Sequence, residues 1–109
     1  MANVIKVLGQ SSPGAASQTT LYTVPASTST VCSSIVVCNR SATATSFRIA
    51  VQPAGAGLSN QHYLYYDVTL AGNDTFIATI GITLATTDVV SVYATLATLS
   101  FNLFGQEAS

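Results

Sequence analysis

The chain has 109 residues, a mass of 11.2 kDa and a formal net charge of −1, and only 6% of its residues are charged, against roughly 25% in an ordinary globular domain. Lys6, Arg40 and Arg48 are too few to neutralise a phosphate backbone or to form a polybasic membrane anchor, so neither nucleic acid nor a membrane is expected as a partner. Hydrophobic residues make up 49% of the chain, enough to bury a core, and the length fits one such core.

No apolar run approaches the ~20 residues of a spanning helix. The first residues, Met1 to Leu8, lack the basic start and long apolar stretch of a secretion signal. Synthesis and folding in a cytoplasm are therefore expected.

Proline, glycine and hydroxyl residues cut the chain into short segments, and none carries a helical period. Alternation of apolar with polar residues, rich in Val, Ile, Thr, Tyr and Phe, predicts strands. Asn3–Leu8 is the first. Gln10–Gln18 reads as a flexible linker and Thr20–Val24 as a second strand stopped by Pro25. Val31–Asn39 follows, then Ser46–Gln52, with Phe47, Ile49 and Val51 on one face. Pro53–Gln61 is predicted as a surface loop.

His62–Leu70 places Leu64, Tyr66, Val68 and Leu70 on one side and Tyr63, Tyr65, Asp67 and Thr69 on the other. Thr75–Leu84, Val89–Leu96 and Thr98–Phe104 complete about eight strands. The predicted fold is all-β, an antiparallel β-sandwich of jelly-roll type. Residues 1–18 form an extended N-terminal arm and linker, and residues 19–109 the sandwich domain.

Cys32 and Cys38 lie six residues apart in one predicted strand, on the same face and about 20 Å apart at ~3.3 Å per residue. They cannot form a disulfide with each other there, and two buried thiols are expected. Groups suited to catalysis are sparse. His62 is the single histidine, and Asp67, five residues on, points to the opposite face of the strand, so no triad is expected around it. Asp74 and Asp88 stand at predicted turns, where aspartate caps backbone amides. No phosphate-binding loop, calcium loop or metal-ligand set is present in the pattern, so no enzyme activity, cofactor or metal is expected. Asn39-Arg40-Ser41 and Asn73-Asp74-Thr75 match the glycosylation sequon and are set aside as chance matches. The polar cluster Asn60–Asp67 contains Tyr63 and Tyr65 on the predicted outer face, suited to a protein contact or, with His62, to a glycan.

So little charge leaves a free monomer poorly protected against association, and one lysine cannot blunt every sheet edge. An assembled protein accounts for both. Val4, Ile5, Val7 and Leu8 form an apolar strand on a nine-residue linker with a reach of ~30 Å. Such an arm is able to add to a neighbour's sheet edge or to fold back on its own sandwich.

Val-Leu-Gly-Gln at 7–10, Leu-Tyr-Thr-Val-Pro at 21–25, Val-Val-Cys-Asn-Arg at 36–40, Tyr-Leu-Tyr-Tyr-Asp at 63–67, Gly-Asn-Asp-Thr-Phe at 72–76 and the late Phe-Gly at 104–105 resemble small virion proteins of tailed bacteriophages. These are β-sandwich proteins that decorate the head as cement proteins or serve in the tail. The resemblance spans nearly the whole chain and implies a non-enzymatic capsid cement or decoration protein on the virion surface. Its implied partners are the major capsid protein and further copies of itself, as a dimer or trimer. A tail, collar or baseplate protein, and a receptor- or glycan-binding module, are the alternatives. Candidate partner contacts are Val4, Ile5, Val7, Leu8, Tyr63 and Tyr65.

Overall fold

The computed structural model describes residues 3–109, and the period-two pattern emerges in it as antiparallel strands. In chain order these are β1 (Asn3–Ser11), β2 (Ser17–Thr23), β3 (Ser29–Asn39), β4 (Thr45–Gln52), β5 (Tyr63–Leu70), β6 (Thr75–Ala78), β7 (Ile82–Leu84), β8 (Val89–Ala94) and β9 (Leu99–Ala108). One sheet runs β1-β9-β3-β6, with β7 also on β3, and the other runs β2-β8-β4-β5. With β6 and β7 taken as one interrupted strand, the chain changes sheet at nearly every connection, which is the strand order of a jelly roll. The predicted all-β sandwich is the observed fold.

The core lies between the sheets. Phe47, Ile49, Val90 and Val92 from one sheet meet Ile35, Val37, Leu99, Phe101 and Leu103 from the other, all essentially inaccessible to water. Phe47 packs edge-on against Phe101 at 6.2 Å between ring centroids and against Phe76 at 5.1 Å. Such aromatic pairs add about 0.5–1.5 kcal/mol each beyond the area they bury.

Bulges decide which side chains reach that core. Between Cys32 and Ser34 the register of β3 against β9 slips by one residue. Thr30 and Cys32 face inward before the slip, and Ile35, Val37 and Asn39 after it. Cys32 is therefore buried, but Cys38 is turned to the half-exposed outer face, contrary to the expectation that both share the inner one. One extra residue in a period of two reverses every later side chain. The same slip explains why the predicted strand 75–84 is interrupted: β6 stops opposite Ile35 and β7 starts opposite Cys32, so residues 79–81 span the bulge.

The N-terminal segment differs most from expectation. Asn3–Ser11 is the edge strand of its own sandwich, paired with β9 from Asn3↔Ala108 to Ser11↔Phe101. Both ends of the expected linker, residues 10–11 and 17–18, are strand as well, the boundary expected at residue 18 falls inside β2, and residues 12–16 connect β1 to β2. Leu8, in phase with the inward-directed Val4 and Lys6, is the one β1 side chain buried in the core, and the bulge there shifts the alternation of the residues that follow.

The turns follow local chemistry. Asp88 accepts the amides of Ala54 (2.8 Å) and Ala85 (2.9 Å), and Asp74 accepts that of Thr75 (2.8 Å). The Asn39 side chain, buried at the end of β3, donates to the Thr43 and Ala71 carbonyls and accepts the Ser41 amide. Its amide nitrogen is thereby engaged in holding two turns. At Gly72 a Cβ would lie 2.1 Å from the Ala42 carbonyl oxygen, so the turn before β6 requires glycine.

Candidate interaction surface

Because β9 alternates Leu103 in, Phe104 out and Gly105 in, its neighbours' orientations follow from the register. Ile5 and Val7 of β1 oppose Gln106 and Phe104, and Val31 of β3 opposes Gln106, so all lie on the outer face. Val36 of β3 opposes Ile77 of β6 farther across the same face. Ile5 is 84% exposed, Ile77 63% and Val31 50%. Ile5, Val7, Val31, Ser33 and Phe104 border a shallow, mostly apolar groove, with Lys6 also on its lining. Polar neighbours here are neutral, such as Gln10, which donates to Asn102 at 2.7 Å.

The chain's charged side chains lie mostly elsewhere. Lys6 and Glu107 are at one end of the sandwich, Arg48 and Asp67 on the opposite sheet, and Arg40, Asp74 and Asp88 in turns. This face thus combines exposed aliphatic side chains with little formal charge: among the described residues the charge nearest to it is Lys6, at the groove's border and paired with Glu107.

Of the candidate contacts on β1, Ile5 and Val7 belong to this face. Val4 opposes Glu107 on the inward side at the open end of the sandwich, half-exposed, and Leu8 is in the core. Lys6, also directed inward, contacts Glu107 at 3.3 Å. The other Glu107 oxygen accepts the Tyr22 hydroxyl at 2.5 Å, and that hydroxyl also lies 2.8 Å from the Thr30 hydroxyl. Burial, reinforced by the adjacent carboxylate, pushes the Tyr22 phenol up to about 12. Donation from Tyr22, aided by Lys6, holds Glu107 below the usual carboxylate range. This cluster ties β1, β2, β3 and β9 together.

The tyrosines divide differently from expectation. The register of β5 against β4 slips twice, around Leu64 and at Tyr66–Asp67, where Asp67 adopts φ +51°. Tyr63 keeps its outward position opposite Ala50, but Tyr65 turns inward and packs on Phe76 at 5.2 Å. The exposed ring is Tyr66, 57% accessible and 4.9 Å edge-on from Tyr63. Arg48 lies between Tyr66 (4.3 Å) and Tyr93 (4.4 Å) and donates to both oxygens of Asp67, at 2.6 and 3.3 Å. His62 is buried and accepts the Ser59 amide on Nδ1 at 3.1 Å, closing the short turn before β5. Tyr63, Tyr65 and His62 do not form a shared platform.

The residues missed by sequence reasoning are Val31, Val36, Ile77 and Phe104. Their signal is present in the unbroken runs Ile35–Cys38 and Leu103–Phe104, where both strand faces are apolar although only one meets the core. Among the described residues no three His, Cys, Asp or Glu side chains gather into a metal-binding group. Comparison with protein-family models, curated proteins and solved structures finds no match to this chain.

Proposed function

We propose that this chain is a non-enzymatic structural protein of a tailed-bacteriophage virion, a cement or decoration protein that binds the shell of major capsid protein and acts as a homo-oligomer. The observation that carries the reading is the uncharged outer face bearing Ile5, Val7, Val31, Ile77 and Phe104. Exposed apolar patches mark interaction sites, and interface cores are depleted of charge. Seating this face on a shell removes its aliphatic side chains from water, and the one charge at the groove's border, Lys6, is already paired with Glu107. Resemblance to phage virion proteins across nearly the whole chain supplies the partner class. Jelly rolls recur in viral capsid and lectin domains, so the fold accords with the role by analogy alone.

Co-sedimentation with purified capsid shells tests the reading. The unaltered chain is expected in the pellet. The double variant Val31→Asp/Ile77→Asp, which places two charges on the face, is expected in the supernatant with an unchanged melting temperature. Equal pelleting of the two proteins would show that the face does not contact the shell.

A further inference from the structure

We infer that β1 is an exchangeable strand: two copies of this chain trade it reciprocally, each laying its β1 along the other's β9. The inference rests on the homo-oligomeric part of the proposed function and is independent of the shell.

Three observations carry it. First, β1 is an edge strand whose side chains contribute little to its own docking. Asn3 to Val7 are all exposed, and Leu8 is its one buried side chain. What holds it is the ladder to β9, the Lys6–Glu107 contact and the Gln10–Asn102 hydrogen bond. All of these form equally well with a second copy's β9, because the exchanged contacts are identical.

Second, the connection carries backbone strain, although the Ala16 amide donates to the Ala94 carbonyl at 2.8 Å, Ser12 accepts from Arg40 at 2.8 Å and Pro13 is buried. Residues 12–16, Ser-Pro-Gly-Ala-Ala, pass between edge strands of different sheets, and Ala16 is held at φ +53°. An alanine there meets the steric cost of the left-handed region, which an extended connection relieves. Proline at 13 favours extended backbone in the residue before it. Fully extended, five residues reach about 17 Å, so the exchanging sandwiches must lie directly side by side.

Third, the net charge of −1 gives two copies little mutual repulsion. Strand exchange is a low-cost route to a symmetric dimer because the new assembly reuses contacts already encoded.

The test places cysteines at Ile5 and Gln106, which oppose each other across the β1–β9 ladder. Cys38 is replaced by Ser, while Cys32 is buried with its thiol pushed up to about 11 and stays out of exchange. Ile5→Cys and Gln106→Cys chains carrying tags of different mass are unfolded together, refolded and oxidised. Exchange predicts a mixed disulfide in excess over either homotypic product. It also predicts that the Ile5→Cys/Gln106→Cys double variant is linked between chains on a non-reducing gel.

A double variant linked only within single chains would overturn the inference. In that event, light scattering at twice 11.2 kDa leaves a homo-oligomer formed by another surface, and scattering at 11.2 kDa removes the homo-oligomer as well. Ala16→Gly, which accepts the positive φ without a Cβ, is expected to lower the exchanged fraction roughly fivefold. An unchanged or increased fraction would remove hinge strain from the account.

Discussion

On the sheet formed by β2, β8, β4 and β5, polar and aromatic side chains of the outer face satisfy one another. Arg48 is stacked between Tyr66 and Tyr93 and paired with Asp67, while Ser91 donates to Gln52 and accepts from Gln18. On the opposite sheet the outer face presents Ile5, Val31 and Ile77 to water. Both faces belong to a chain with almost no charge, yet one uses an ion pair and two cation–π contacts to organise itself and the other uses none. The difference shows that scarcity of charge is not spread evenly. The few charges sit in turns, at one end and on one face, and the other face is left suited to a cover from outside.

Substitutions on the two sides of the sandwich sharpen this contrast. The largest effect is expected at Leu103, whose neighbour Phe104 points the opposite way on the same strand. Leu103→Ala should cost about 2–5 kcal/mol in denaturant unfolding, as for other buried leucines, and Phe104→Ala far less. Equal costs would contradict the assignment of inner and outer faces.

Next comes Glu107, which fixes the edge of the apolar face through Lys6 and Tyr22. Glu107→Gln should cost about 1.5 kcal/mol at pH 7, the range of a hydrogen bond to a charged group. Glu107 has a lowered pKa in the folded chain, so its contribution is complete above the unfolded value of about 4.3 and fades as pH falls through the folded one. Unfolding curves of the parent and the Gln variant should therefore converge in acid. A gap that persists at low pH would show that the carboxylate's charge is not its source.

Arg48→Ala should cost about 1 kcal/mol, since exposed cation–π contacts and surface ion pairs are each worth about 0.5–1 kcal/mol or less. Salt should reduce that cost only in part, because ring stacking is less screened than the pairing with Asp67. The smallest effect is expected for Val31→Asp/Ile77→Asp. Its folding stability should stay within about 0.5 kcal/mol of the parent's, as for other surface changes. If those two substitutions destabilise the free chain more than Arg48→Ala does, the contrast between the faces fails.

Composition and local pattern were enough to read the all-β class, the places of most strands and the turn roles of Asp74 and Asp88. Each depends on residues within a few positions of one another. The orientation of Tyr65 and Cys38 was not legible. Both lie beyond bulges, and a bulge is set by how a strand registers against its partner rather than by the strand's own alternation.

The uncharged face was half visible. Its apolar residues are plain in the runs 35–38 and 103–104, but which side of each run meets the core depends on the same registers. Nor did the first segment disclose its position, because an apolar strand before small residues fits an arm and an edge strand alike. The sequence by itself determined how little charge the chain carries and the places of most strands, though not their ends. Only the tertiary structure decided that the missing charge coincides with one exposed face, since side-chain direction in a sheet is fixed by pairing between residues distant in the chain.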